Sequence, residues 1–358
     1  MESLVKALET FRGKRVFVTG STGFKGSWLC NWLLELGAEV TGFALPAADD
    51  APLFQQLRCE ERMRQIYGDV RDIAALRAAI GDSRPEIVIH LAAQALVRLS
   101  YELPTETFDT NVTGGVNLLE AVRDVPSVKA LVFVTSDKCY LNKEWEWSYR
   151  ENDELGGADP YSASKAVAEV VFSSYQQSFF ATQQGFAAAT ARAGNVIGGG
   201  DFARDRIVPD CVRALTAGVP IILRNPDATR PWQHVLEPLS GYLMLAARLL
   251  ASADSARGAW NFAPDAQNVR TVHQLTNQVV ASWGSGEVRI ERPREAVHEA
   301  QLLMLSADKA KIQLGWLPQW DFKEAIDATV DWYRAVSSGK DPIEVTNRQI
   351  AAYVGATA

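Results

Sequence analysis

Cysteine and histidine are scarce in this sequence, at four of each among 358 residues. Cys30, Cys59, Cys139 and Cys211 are scattered and in no metal-ligand spacing, which argues against a disulfide framework and fits plain buried thiols in a reducing compartment. The histidines are equally dispersed, so no metal site is expected. No apolar run approaches the roughly 20 residues that cross a bilayer. The opening stretch MESLVKALETFRGKR lacks the apolar core and small-residue cleavage site of a secretion signal, so a cytoplasmic protein without a membrane partner is expected. Positive charge is in deficit, with 36 Lys and Arg against 43 Asp and Glu. The net charge of −7 argues against a nucleic-acid partner, yet leaves room for a local basic pocket around a phosphorylated small molecule.

What is plentiful is apolar sequence in short packets. Runs at 14–20, 39–45, 63–69, 86–93, 130–136 and 186–194 alternate with helical segments, and that rhythm predicts a parallel sheet. VFVTG, EIVIHLAA and ALVFVTS are apolar almost throughout, as strands covered on both faces should be. The expected fold class is α/β: a doubly wound, Rossmann-like parallel sheet with a smaller C-terminal α/β lobe. Residues 1–194 would form the dinucleotide-binding domain, with 231–261 returning to it. Residues 195–230 and 262–358, where Pro and Gly punctuate the chain, would form the substrate lobe. The tail from Asp341 reads as a mostly surface-lying segment.

Between the first strand and the next helix lies Gly20-Ser21-Thr22-Gly23-Phe24-Lys25-Gly26. Glycines there allow close approach of a phosphate to the backbone, and the helix start offers free N–H groups to a pyrophosphate. The acidic residue usual about 20 positions later is missing from TGFALPAADD, which weakens the choice of NAD over NADP. Asp69 in GDVRD is either a partner for an adenine amino group or a helix N-cap. Ala92 and Ala93 in HLAAQ leave room for a flat cofactor. Asn111 in TNVTGG is either an amide of the dinucleotide site or a polar residue inside a helix.

Tyr161 and Lys165 in YSASK stand one helical turn apart after Pro160, so both reach one cleft. A lysine ammonium beside a phenol is expected to lower the tyrosine towards the working pH and make it a base. The fifth strand ends in Thr135-Ser136-Asp137-Lys138, at the sheet edge where ligands bind.

The glycine turn, Ser136 at the fifth strand end and the Tyr161/Lys165 pair resemble the extended short-chain dehydrogenase/reductases that modify nucleotide sugars, over nearly the whole chain. The resemblance implies NAD as cofactor, held by Gly20, Thr22, Gly23, Phe24, Gly26, Asp69, Val70, Leu91, Ala92, Ala93, Gln94, Asn111 and Thr135 together with Tyr161 and Lys165. It implies that Ser136 hydrogen-bonds a sugar 4-hydroxyl, Tyr161 removes its proton, and Lys165 holds the nicotinamide ribose. Epimerases of this superfamily carry small, non-ionising residues after that serine, whereas dehydratases carry an acid–base pair for the C5 proton and the C6 hydroxyl. Most dTDP-sugar dehydratases have Asp-Glu there; Asp137-Lys138 is similar to the branch acting on CDP-glucose, with dTDP- and GDP-sugar dehydratases as alternatives. Asp137 would be the acid. Lys138 would be either the C5 base or a group orienting Asp137 or the C4 ketone.

The same resemblance places Arg98, Asn195, Arg230, Gln233, Asn261, Arg294 and His298 at the nucleotide sugar. Asn195 in GNVIGGGD would contact the diphosphate, with the glycines admitting it closely, or mark a lobe hinge. Arg230 beside Trp232 suits a diphosphate. His298 could equally be a surface residue, and Arg294 a member of a charge cluster with Glu291 and Glu295. Trp145 and Trp147 would form a lid over the sugar or anchor an irregular loop. Relatives pair through helices near Thr105 and Tyr161, so a homodimer is expected, with pairing of dimers into a tetramer left open.

Overall fold

The computed structural model describes residues 2–48, 50, 52–251, 254–291 and 302–355. Each of the six apolar runs forms a strand: β1 (Arg15–Thr19), β2 (Glu39–Ala44), β3 (Arg64–Tyr67), β4 (Ile87–His90), β5 (Ala130–Val134) and β6 (Ala187–Arg192). A seventh, β7 (Gly258–Asn261), pairs with β6, and the order is β7-β6-β5-β4-β1-β2-β3 with every pairing parallel.

The longer helices are α1 (Glu2–Glu9), which precedes β1, then α2 (Phe24–Glu35), α3 (Ile73–Ser83), α4 (Gly114–Arg123), α5 (Pro160–Tyr175), α6 (Ile207–Ala217) and α7 (Leu236–Leu250), which lie between strands, and α8 (Val272–Trp283), α9 (Phe322–Ser337) and α10 (Pro342–Gly355), which follow β7. Parallel neighbours require crossovers, and α2 to α7 lie within them. Phe17, Val88, Leu131 and Ala188 turn to one face and pack with Leu76, Leu118 and Phe172 of α3, α4 and α5. Val16, Val18, Ile87, Ile89 and Val132 turn to the other, against Trp28 of α2 and Leu243 of α7. The strands are apolar at consecutive positions because both faces are covered, and each fully buried Val, Leu or Phe contributes roughly 1.5–3 kcal/mol.

Local chemistry starts the helices where the site needs them. Asp159 caps α5 by accepting from Ser162 N at 2.9 Å, and Pro160 opens its first turn. After β6 the chain builds short ladders: Ile221–Leu223 with Val288–Ile290 in parallel, and Thr229–Arg230 with Arg270–Thr271 antiparallel. Helices α8 and α9 each begin with a capping box, on Thr271/Gln274 and Asp321/Glu324.

The tail departs from its expected surface position. Residues 342–355 form α10, whose Val345, Thr346, Gln349, Ile350 and Tyr353 are buried. Tyr353 packs edge-on to Trp32 and Trp320 and donates to Glu237 at 2.7 Å. Five buried side chains on one helical stripe outweigh the polar look of the sequence.

Candidate active site

The carboxyl ends of β1, β4, β5 and β6 meet on one edge of the sheet. Gly20 has φ +71°, and a Cβ there would lie 2.7 Å from Ala92 N. A Cβ on Gly26 would lie 2.0 Å from Gly20 O, so the turn folds tightly on itself and against the end of β4. Gly23 begins α2 without a side-chain cap, which leaves the first N–H groups and the positive end of the helix for a pyrophosphate. By donor set and space, the turn fits a dinucleotide.

The other expected cofactor residues surround this turn in differing ways. Thr22 donates its hydroxyl to Leu45 O at 2.9 Å, tying the turn to β2. Phe24 opens α2 beside Gly198. Leu91 N and Ala92 N bond Thr19 Oγ1 at 3.2 and 3.3 Å, which sets the Leu91–Ala93 corner beside the turn. Val70 is buried against Gly114. Asp69 caps no helix: Asp72 caps α3, while Asp69 accepts from Arg71 N at 2.9 Å and grips its guanidinium at 2.6–3.0 Å, which holds the Asp69 carboxyl below its usual range. Asn111 donates to Gln94 O and Ser164 Oγ and accepts from Gln94 N, at 2.8–3.0 Å. It braces the Gln94 loop against α5, and Gln94 itself bonds Leu96 and Thr107. Thr135 directs its hydroxyl inward to Glu169.

Ser136, Asp137, Tyr161 and Lys165 gather where β5 meets the start of α5, all at most 7% exposed. Ser136 Oγ donates to Asp137 Oδ1 at 2.8 Å, and Asn195 Nδ2 to Asp137 Oδ2 at 3.3 Å. The Ser136 hydroxyl lies near enough to the Tyr161 phenol to favour its phenolate. Lys138, half-buried, follows on the same 3₁₀ turn, its N–H on Ser136 Oγ at 3.3 Å.

The electrostatics correct one expectation. Tyr161 is pushed up to about 12, not down, because burial penalises the phenolate; the Asp137 charge adds to this, and Ser136 and Arg206 only partly oppose it. Lys165 is lowered to about 8 by its own burial, against the opposing pull of Cys139 and Glu169. Its Nζ lies 6.0 Å from the Tyr161 ring centre, so in this state the lysine does not offset the desolvation of the phenol.

Two cations that the motifs left unassigned also face this cluster. Lys25, in the glycine turn, is lowered to about 8 by burial and feels the charges of Arg206, Asp137, Lys165 and Asp201. Arg206 pairs with buried Asp201 at 2.8 Å and reaches the Tyr161 phenol electrostatically. A charged residue inside the glycine turn was the one local sign of the first; DFARDR, 36 residues or more from the Tyr161–Lys165 motif, carried no sign of the second.

The expected sugar-nucleotide residues divide. Asn195 reaches Asp137 with φ +52°, and Gly194 lies flush on the same carboxyl group. The glycines of 198–200 correct another expectation: they make room for Val235, Trp332 and Leu53 within the chain. Arg230 stands opposite Arg270 in its ladder and donates to Thr229 O at 2.7 Å, while Trp232 is buried against Phe322. Arg98 is exposed and pairs with Asp205 at 2.9 Å. Gln233 is buried, and its Nε2 holds Gly194 O and Phe262 O. Asn261 is wholly buried: it donates to Tyr149 O and Ser306 O and accepts from Tyr140 OH at 2.8–3.2 Å. Asn261 braces the site from behind, since both ends of its amide are bonded to the protein's own groups, whereas among the described residues Gln233 Oε1 is buried with no hydrogen-bond partner. Arg294 and His298 lie outside the described residues, as does Glu295. Of the two tryptophans, Trp145 packs on Tyr149 at 5.4 Å as a loop anchor, and Trp147 is 68% exposed.

Residues 17–329 match the family model described as GDP-mannose 4,6 dehydratase. The chain belongs to this dehydratase family. It is 48% identical to a CDP-glucose 4,6-dehydratase of Salmonella typhimurium, over 97% of this chain and 98% of the relative. A dTDP-glucose 4,6-dehydratase of Shigella flexneri is more distant, 24% identical over 90% of this chain and 93% of that one. Among solved structures, the dTDP-glucose 4,6-dehydratase of Streptomyces venezuelae with NAD bound superposes with a TM-score of 0.76 at 25% identity, covering 92% of this chain and 99% of that chain. The UDP-glucose 4-epimerase of Thermus thermophilus in complex with NAD does so at 0.73 and 28%, covering 89% and 99%.

Proposed function

We propose that this chain is an NAD-dependent dehydratase converting CDP-D-glucose to CDP-4-keto-6-deoxy-D-glucose and water. The observation that carries the reading is the grouping of Ser136 and Asp137 with Tyr161 at the end of β5, with Lys138 next on the same turn. Together these residues supply the hydroxyls, carboxyl and amine that an elimination needs and a simple C4 epimerisation does not. The 48% identity to a CDP-glucose enzyme, against 24–27% to the dTDP- and GDP-sugar dehydratases, supports the cytidine nucleotide.

In this reading Ser136 holds the C4 oxygen while Tyr161 takes the C4 hydroxyl proton, with Arg206 offsetting part of the burial that opposes the phenolate. Bound NAD supplies the acceptor for the C4 hydride and its donor to C6, so the net change is loss of one water. Lys138 takes the C5 proton, made acidic by the C4 ketone, and later returns a proton to C5. Asp137 gives its proton to the departing C6 hydroxyl. Lys165 holds the nicotinamide ribose, and the glycine turn binds the pyrophosphate. Arg230 and Arg270, opposed in one ladder, would present guanidinium groups to a sugar-nucleotide diphosphate.

The enzyme acts in the cytoplasm; among the described residues no helix is long and apolar enough to cross a membrane. It works as a homodimer, paired through a surface carrying Leu103 and Phe108 with Val167 and Val170 of α5, apolar side chains 37–57% exposed. The test is incubation with CDP-, dTDP-, UDP- and GDP-linked hexoses, read by the alkali-induced absorbance of 4-keto-6-deoxy sugars. Product from CDP-glucose in preference to the others is expected. Preference for another donor reassigns the base, and silence with every donor refutes the dehydratase.

A further inference from the structure

Beneath the reacting groups lies an ion pair that the steps above do not use. Glu169 stands on α5 one turn beyond Lys165, is 4% exposed, and pairs with Arg192 of β6 at 2.7 Å. Its Oε1 accepts from Thr135, the residue before Ser136, and its Oε2 accepts from Thr190 at 2.9 Å. Arg192 in turn donates to Tyr140 OH at 2.7 Å and to Glu151 O at 3.0 Å. The Tyr140 hydroxyl continues to Asn261 of β7 at 2.8 Å. One buried carboxylate thus touches the strand end that carries Ser136, Asp137 and Lys138 while standing on the helix that carries Tyr161 and Lys165. Its partner arginine holds the loop that leaves the Asp-Lys pair.

An apolar core would have filled this space without the desolvation cost of two charges, so the pair is weak evidence for stability as such. Its placement joins two elements whose separation sets the reaction geometry, and an error of about 1 Å there costs on the order of a hundredfold in rate. The charge also falls where one is needed. Lys165 is faced by Lys25 of α2, His90 of β4, Cys139 of the turn after β5, and Glu169 of its own helix. His90 is kept neutral by burial and the Cys139 thiol is raised well above its ordinary value, while Glu169, paired with Arg192, is the carboxyl group one helical turn from the lysine on the same helix.

We propose that Glu169, paired with Arg192, is a positioning residue that holds Lys165 charged and α5 in register with the end of β5. This rests on the dehydratase reading above.

The experiment compares wild type, Glu169→Gln and the double variant Glu169→Gln/Arg192→Met, which removes both buried charges. Each is followed for folding by thermal melting and for kcat and KM with CDP-glucose across pH. Glu169→Gln is expected to lose roughly tenfold or more in kcat with KM changed by less than about threefold. The alkaline limb of its kcat/KM profile moves to lower pH, because Lys165 then loses its proton earlier. The double variant regains thermal stability but keeps the shifted limb. If activity follows the folded fraction and returns with stability in the double variant, the pair is structural only and the proposal is overturned. An unshifted limb in Glu169→Gln with wild-type kcat overturns it as well. A wild-type protein inactive on every nucleotide sugar removes the dehydratase reading and this inference with it, so the two failures are told apart by the wild type alone.

Discussion

Gly194→Ala offers a direct measure of how tightly the elimination step is built. A Cβ at this position would lie 2.0 Å from Asp137 Oδ2, 2.1 Å from its Cγ and 2.4 Å from Oδ1. An ordinary contact is about 3.4 Å, so the carboxyl group must retreat by about 1.4 Å (3.4 less 2.0) or the end of β6 must move by as much. Its hydrogen bonds from Ser136 and Asn195, at 2.8 and 3.3 Å, would be drawn off their geometry. A displacement of this size costs about a hundredfold in a positioned proton transfer. Overpacking costs about 1–3 kcal/mol of stability, so the fold should survive with a lowered melting temperature. In a single turnover with CDP-glucose the variant should still oxidise C4, seen as a build-up of the near-ultraviolet band of reduced nicotinamide, while the 4-keto-6-deoxy product forms about a hundredfold more slowly. Gly81→Ala is the control: nothing lies within 4 Å of its added methyl, and alanine is favoured in a helix by about 1 kcal/mol. Product formation by Gly194→Ala within about threefold of wild type, with no build-up of the reduced band, would refute the assignment of Asp137 as the acid held in this geometry.

Asp137→Asn keeps the shape and removes the proton, so it too should oxidise C4 and stall before loss of water; normal product formation removes Asp137 from the mechanism. Glu237 is fully buried, accepts from Gln319 N, Trp320 N and Tyr353 OH, and burial raises it from 4.5 to about 7. The native state therefore binds the extra proton. Stability from this group is fully present below pH 4.5 and is lost as pH rises towards 7, by about 3 kcal/mol in all. Glu237→Gln abolishes that loss, so urea melts should show the variant gaining on wild type between pH 5 and pH 8; a difference independent of pH refutes it. Val170 on α5 is 57% exposed, and Val170→Glu should lower the apparent mass in sedimentation from dimer to monomer, whereas an unchanged mass places the interface elsewhere.

The six strands from β1 to β6 were readable because their signals are local. An apolar run of four to six residues covered on both faces has one reading in a parallel sheet, and β1, β4 and β5 carry it without interruption. The spacing of Tyr161 and Lys165 is likewise a property of one helical turn, set after Asp159 and Pro160. Direction and charge were not readable. Asn261 looks like a polar group offered to a ligand, yet its amide is bonded within the chain, because the neighbours that satisfy it come from segments up to 121 residues away. The tyrosine's pKa ran opposite to expectation for the same reason: the depth of its burial is set by packing from several elements, not by the lysine one turn away.

By itself the sequence determined the period of each element, the turn that only glycine can make between β1 and α2, and the identity of the groups able to move protons. Only the tertiary structure decided which of those groups meet. It brought Lys25 and Arg206, 181 residues apart, to one carboxyl-lined corner, and it joined Glu169 to Arg192, Thr135 and Tyr140 beneath the reacting groups. The physical reason is one of range. Backbone angles and caps act within a few residues, whereas desolvation and ion pairing depend on whatever the whole fold places within a few ångströms.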